Sequence, residues 1–579
     1  MRKLSKLLVI IFIISLISSI LPFGGEGSAK LSIVGGVVPH HLLAQEIIED
    51  FFAFLAELKP HPETIILFSP DHFNSASVYK KPSFISVNWE LDDVKLGEVS
   101  VDCKLLKELA MTNEIKSSRS TVLLEFGIMN LLPFIKKTFP EVKIVPFIIP
   151  GYILWEQVEG LVCAIHKRSS PNTLIMASVD FSHYLPPEAA IFHDTKSIRV
   201  LLNFEQEHFA HIEVDSWPSL YAVRLFAKLR KSEKPTIIAH KNSIDILPYD
   251  GNCSTSYFSV IFQEGESPED LQVETILLAG DMMLGRGIEE LIKEKSIYYP
   301  FQKIVQLLRG VDIVLANLEG TIAENRPVML GHEPKFAFRP EVIEAVRWSQ
   351  INLLSLANNH STDLGPAGWQ ETTEWLQRYQ INFIGTPLFD PKNPGKESNI
   401  PFFGEQSIFL AFNRVPPYID YREKINKEVK KVRQANPEKV IIVSLHWGNE
   451  YQLTSSYPQR ELAHQVIASG ADVVVGHHPH LVQEIGLIQG KPVFYSLGNF
   501  IFDQQFLPET QEGLLVGLSI ENDRIIYRLF PIKILSGQPQ LMNKKERDFF
   551  LKNLARKSDK NLQQEIEKGI IEIKRRNEN

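Results

Sequence analysis

Cysteine is nearly absent. The 579 residues hold three, Cys103, Cys163 and Cys253, far apart and in no metal-ligand spacing. Disulfides are therefore not the framework, and stability has to come from apolar cores and possibly from bound metal. An excess of positive charge is also missing: the formal net charge is −8, which gives no reason to expect nucleic acid as a partner. No long tract of biased composition occurs, with 44% apolar and 22% charged residues, so a disordered chain is excluded. No internal repeat links the two halves. The length exceeds what one core can organise and suggests two to four domains, of which the pattern along the chain supports two.

The long uninterrupted apolar run stands at the start. MRKLSK is followed by LLVIIFIISLISSIL, ending near Pro22, with Arg2, Lys3 and Lys6 before it and the small residues Gly27, Ser28 and Ala29 after it. Residues 1–29 are expected to be an export signal or, if uncleaved, an N-terminal membrane anchor. That places the remainder outside the cytoplasm, secreted or anchored at the cell surface. A buried core helix is the competing reading, and the flanking basic residues count against it.

Elsewhere the pattern is alternation. Short β-branched runs at 64–68, 143–149, 173–178 and 236–240 alternate with helical periods around 43–58 and 217–231, which reads as α/β. A second series, TILLAGD, DIVLANLE, INLLSLANNH, KVIIVSLHWG, ADVVVGHHPH and PVFYSLGNF, begins at residue 275, and each strand runs straight into polar residues. Between the two series lies the acidic QEGESPEDLQVE. The expected organisation is a domain over 30–264, a linker over 265–275, a second domain over 276–537 and a charged helical tail over 538–579.

In α/β sheets ligands bind beyond the carboxyl ends of strands, so strand endings distant in sequence meet in one crevice. The endings here are Asp281, Glu319, Asn359 with His360, His446, and His478 with His480. Alone, a strand-terminal Asp is a helix cap and a lone His a satisfied hydrogen-bonding group. Together, carboxylate, amide and imidazole suit a divalent Mn, Fe or Zn ion.

GDMMLGR, NLE, ANNHSTDLG, HWGNE, GADVVVGHHPH and SLGNF, in this order over residues 276–537, resemble the CapA family of poly-γ-glutamate capsule proteins, which is similar to the calcineurin-like metallophosphoesterases. The resemblance implies an α/β/β/α sandwich with one or two metal ions. Asp281 would be a terminal ligand and Glu319 the bridging carboxylate, with Asn359, His446 and His478 on one ion and His480 joining Asp281 on the other. His360 would be the general acid, Asp363 would set its tautomer, and Arg286, one turn into the helix after Asp281, would neutralise an anionic substrate or else form a surface ion pair. Two departures stand out: Met283 occupies the place of a histidine ligand, and Glu319 that of an aspartate.

In the first half GGVVPHH, LFSPDHF, EFGIMNLLPF and SVDFSHY resemble the Memo-like family (AmmeMemoRadiSam system protein B), whose fold is similar to class III extradiol dioxygenases. The resemblance implies a pocket lined by His40, His72, Asp180 and His183, able to form a second metal site for iron or copper. The competing reading makes Asp180 a helix cap and His40 ordinary packing. Cys253, in a turn before a strand, reads as structural.

The reading that follows is an extracytoplasmic metal-dependent hydrolase acting on an anionic capsule or cell-envelope polymer, or on a phosphoester. Two alternatives remain: a non-catalytic polymer-binding or assembly protein, which Met283 favours, and a redox metalloenzyme with its chemistry on the Memo-like half.

Overall fold

The computed structural model describes residues 31–91, 93–248, 253–265, 269–325, 335–386, 401–415 and 422–575. The expected signal segment, residues 1–29, lies outside them. Among the described residues no helix is long and apolar enough to cross a membrane.

In the first domain the strands Ile33–Val38, Thr173–Ser178, Thr64–Pro70 and Lys143–Ile149 pair in parallel, in that spatial order. Helices cover both faces of such a sheet, which is why these strands are continuous apolar runs with no polar alternation. They coincide with three of the expected β-branched runs. Ser254–Gln263 and then Lys234–Asn242 extend the sheet antiparallel at one edge. The two helical periods form Gln45–Ala56 and Trp217–Leu229.

The second domain has two stacked sheets, one of nine strands and one of six among the described residues. Period-2 patterning decides what faces what. In Val273–Met282, Ile276 and Leu278 enter the core between the sheets, whereas Leu277 and Ala279 face the helices outside. In Val440–His446, Ile442 points into the same inter-sheet core, while Ile441, Val443 and Leu445 pack on the helices Arg422–Ala435 and Tyr457–Ala468. The result is helices, sheet, sheet, helices.

The segment after residue 537 departs from the expected helical tail. Gln538–Leu541 and Ile570–Lys574 are strands of the nine-stranded sheet, both pairing with Arg524–Leu535. Leu551 and Leu554 of helix Lys544–Lys557, with Leu562 and Ile566, are buried in the inter-sheet core. Its charges line one face of short elements whose apolar face closes the domain. The central strand also begins at Val273, inside the stretch read as linker.

Helix Pro187–Asn203 of the first domain packs on the outer face of the nine-stranded sheet. Its Ala189, Ala190 and Phe192 share a core with Leu277, Ala279 and Phe530. The two domains therefore have a common hydrophobic seam.

Candidate metal centres

In the second domain, register assembles the centre. At the carboxyl end of one sheet Asp281 sits between Asn317 and Asn499 on neighbouring strands; in the facing sheet His446 sits beside His477. Gly280 permits this approach, since a Cβ there would collide with the carbonyl of Gly498. Asp281 Oδ1 accepts from Asn317 Nδ2 at 2.9 Å and Oδ2 from the His478 backbone N–H at 3.1 Å. Glu319 reaches both ways: its Oε1 lies 3.6 Å from His446 Nε2 and its Oε2 4.0 Å from His480 Nε2. Asn359 Oδ1 is 2.7 Å from His446 Nε2, and the His446 and His478 rings are 4.8 Å apart. His480 Nδ1 faces Asn499 Oδ1 at 3.0 Å and Asp281 Oδ2 at 3.3 Å. All six expected ligands thus converge on one crevice.

The donors fit a cation. Glu319 Oε2 is buried with no hydrogen-bond partner, as are both ring nitrogens of His477. Unsatisfied polar groups in a dry interior are costly, and a metal ion is a partner that suits carboxylate and imidazole together. Burial, then the Asp281 charge, pushes the Glu319 carboxyl well above its usual range. Burial also opposes ionisation of Asp281, but His477 and His480 hold its carboxyl well below that range. Burial lowers His446, and lowers His478 to about 4 with help from His480. His480 alone goes the other way: burial opposes its charge, yet Glu319 and Asp281 raise it to about 9. Without metal, protonated His480 is the counter-ion of the Asp281 carboxylate, 3.3 Å away.

His360 Nδ1 lies 2.9 Å from Asp363 Oδ2, and its ring stacks on Phe336 at 3.9 Å. Arg286 covers the same Phe336 ring at 5.3 Å and pairs with Asp503 at 3.2 Å. It is the first residue of helix Arg286–Glu294 and not one turn into it. Met283 is buried, and its sulfur accepts the Gly285 N–H at 3.1 Å. Sequence reading passed over Asn317, which donates to Asp281 and faces His446, Asn499, which faces His480, and His477, whose Nδ1 lies 3.4 Å from Asp281. Asn317 and His477 stand at the carboxyl ends of apolar strands, whereas Asn499 opens the short strand Asn499–Ile501.

In the first domain His40 Nε2 lies 3.4 Å from Asp180 Oδ2 and 3.5 Å from Asp215 Oδ2, and His72 Nε2 lies 3.8 Å from Asp215 Oδ2. His40, His72 and Asp215 form one group of potential ligands and Asp180, His183 and Asp215 another. The four expected residues are together, and Asp215, which had no assignment, joins both groups. Its Oδ1 is buried without a partner. Glu125, also unassigned, caps helix Phe126–Met129 and holds His72 Nδ1 at 2.6 Å. Burial opposes charge on His72, but Asp215 and Glu125 raise it to about 9; burial lowers His40 to about 4 and raises Asp180 to about 6. Asp180 does not start a helix, since strand Phe181–Leu185 follows it. Cys253 does precede a strand, but it is exposed and packs in no core.

The family described as bacterial capsule synthesis protein PGA_cap matches residues 275–504, and the Memo-like protein family matches residues 27–246. The capsule biosynthesis protein CapA of Bacillus anthracis is 28% identical over 291 residues, 46% of this chain and 69% of that protein. The PGA biosynthesis protein CapA of Bacillus subtilis is 29% identical over 282 residues, covering 46% and 73%. A MEMO1 family protein of Metallosphaera sedula is 25% identical over 234 residues, covering 38% and 80%. The chain thus joins an α/β domain that matches the Memo-like protein family to a C-terminal domain of two stacked sheets that matches the bacterial capsule synthesis protein family.

Proposed function

We propose that the C-terminal domain is a metal-dependent hydrolase acting, outside the cytoplasm, on an anionic capsule or envelope polymer of the poly-γ-glutamate type or on a phosphoester. The observation that carries the reading is Glu319: a buried carboxylate with each oxygen turned to a different histidine and one oxygen without a hydrogen-bond partner. Asp281, Glu319, Asn359, His446, His478 and His480 would hold one or two ions of Mn, Fe or Zn. Such an ion lowers the pKa of a bound water and stabilises developing negative charge.

The chain's own residues supply the rest. Asp363 accepts a hydrogen bond from Nδ1–H of His360, which in its imidazolium form would pass the Nε2 proton to a departing group and keep the Nδ1 proton. The Phe336 ring, held between His360 and Arg286, fixes the angle of both and keeps one wall of the mouth apolar. Arg286 gives up part of its Asp503 pairing to meet an anionic substrate. The capsule assignment follows the two CapA relatives.

The test is His360→Ala in the full chain with Mn, assayed on a generic phosphodiester and on a γ-glutamyl polymer. Turnover is expected to fall by about 10²- to 10⁴-fold while metal content stays constant. Unchanged turnover defeats the mechanism. A second reading, metal-based redox chemistry on the Memo-like half, is favoured by the His40, His72 and Asp215 cluster. Iron or copper retained in that half, with no hydrolysis by the other, is the result that would favour it.

A further inference from the structure

We propose that Glu450 is a ligand of the C-terminal centre, closing it from the solvent side together with His478 and His480. The inference rests on the metal-dependent reading above and adds a residue to it. A carboxylate oxygen of Glu450 and one ring nitrogen each of His478 and His480 lie within 4.8 Å of one another, and the buried group of Asp281, Glu319 and His480 meets the same criterion. His480 belongs to both groups. One imidazole therefore joins an inner pair of carboxylates to an outer one at the mouth.

The backbone holds Glu450 there. Trp447 donates its N–H to the carbonyl of His477 at 3.1 Å, and Tyr451 donates its N–H to Pro479 at 2.9 Å. The turn carrying Glu450 is thereby tied at both ends to the turn carrying the two histidines. Tyr451, His478 and His480 all have positive φ, of 60°, 95° and 59°. Side-chain-bearing residues avoid this region unless the surroundings enforce it, and such strain gathers at ligand clamps. A chain of hydrogen bonds completes the clamp: Gln504 Nε2 donates to Tyr451 Oη at 3.1 Å, Asn499 Nδ2 donates to Gln504 Oε1 at 3.1 Å, and Asn499 Oδ1 faces His480 Nδ1 at 3.0 Å. With Nδ1 so engaged, His480 Nε2 is the nitrogen free to bind an ion.

Charge agrees with the placement. With Glu450 the centre has three carboxyl groups, those of Asp281, Glu319 and Glu450, beside its imidazoles, a set suited to divalent first-row transition ions. Met283 cannot share this role from its present position, because its sulfur is buried on the Gly285 N–H. Glu450 is exposed, so its replacement leaves the core intact.

The experiment is titration of the metal-free full chain with Mn²⁺ by calorimetry and electron paramagnetic resonance, comparing wild type, Glu450→Gln, Glu450→Asp and the exposed neighbour variant Asn449→Ala. Glu450→Gln is expected to lose one bound Mn²⁺ or to bind it about tenfold or more weakly. Glu450→Asp should fall between, and Asn449→Ala should match wild type. Glu450→Gln that binds Mn²⁺ with wild-type stoichiometry and affinity overturns the proposal while leaving the hydrolase reading intact. Wild type that takes up no Mn²⁺ overturns both. Mn²⁺ loss in Glu450→Gln alongside undiminished turnover in His360→Ala supports the ligand assignment and sinks the hydrolytic mechanism.

Discussion

The guanidinium of Arg199 in the Memo-like domain is bidentate on the carboxylate of Asp312 in the capsule-protein domain, at 2.7 and 3.0 Å. The same guanidinium donates to the carbonyl of Val273 at 2.7 Å, where the central strand of the second domain begins. Lys196 adds a bond to the carbonyl of Val311 at 3.0 Å, and His193 Nε2 lies 3.0 Å from that of Leu307. All three side chains come from helix Pro187–Asn203 and are buried. A seam built this way does not open cheaply, because opening it strands charges in a low-dielectric interior.

Arg199→Ala should accordingly destabilise the full chain by about 3–5 kcal/mol, the range for removing one partner of a buried ion pair. Urea unfolding followed by tryptophan fluorescence reads the change. A variant whose unfolding midpoint stays put would mean that the seam adds little to stability.

The same pair sets an acid limit. Burial opposes ionisation of Asp312, but Lys196 and Arg199 hold its carboxyl well below the usual carboxylate range. A depressed carboxyl contributes stability that is fully present above the unfolded-state value and is lost as pH falls from there toward the folded-state value. Unfolding midpoints should therefore drop below about pH 4, and Asp312→Asn, weaker at neutral pH, should show a shallower drop.

Glu319→Gln removes the carboxylate shared by the two halves of the centre. The metal-free variant should melt near the wild-type temperature, since a buried carboxyl whose surroundings disfavour its ionised form has been replaced by a neutral amide. Excess Mn²⁺ should raise the wild-type melting temperature by binding only the folded state, and this shift should vanish in the variant. Equal metal-induced shifts in the two proteins would contradict the bridging role.

Asp363→Asn tests positioning and not proton delivery. Turnover should fall roughly ten- to a hundredfold through kcat, with KM and metal content kept. An unchanged kcat would reduce Asp363 to a structural support for the Phe336 backbone, whose N–H it also accepts.

In the Memo-like domain, Asp215→Asn should lower iron or copper content by one equivalent in a chain whose C-terminal centre carries Glu319→Gln. Glu125→Gln, which loosens the grip on His72 Nδ1, should weaken binding by about tenfold. Elemental analysis after equilibration with each metal decides between them, and full retention in Asp215→Asn would remove that residue from the ligand set.

Much of the second-domain centre could be read from the chain. Apolar strands ending in Asp281, His446 and His480 announce a crevice, because side chains at the carboxyl ends of parallel strands have only one place to converge. His477 was passed over beside His478, since nothing in a run of two histidines says which ring the strand buries. Asn317 and Asn499 were missed because an amide at a strand end is equally at home in a turn. Asp215 precedes Ser216, the cap of helix Trp217–Leu229, where an aspartate is equally at home in a helix start. Glu450 lay inside a quoted motif and carried no assignment, because its partner histidines are on another strand's loop.

By itself the sequence determined two α/β domains, their order and the chemical character of both centres: apolar periodicity and strand-end residues are local properties, written in consecutive positions. The tertiary structure decided which strand lies beside which and hence that Asp281 meets His480 and that Glu319 spans two histidines. It also turned the charged C-terminal stretch into strands of the main sheet and joined the domains through Arg199 and Asp312. Those outcomes depend on burial and on register between distant segments, and both are settled only when the two sheets pack and the interior loses its water.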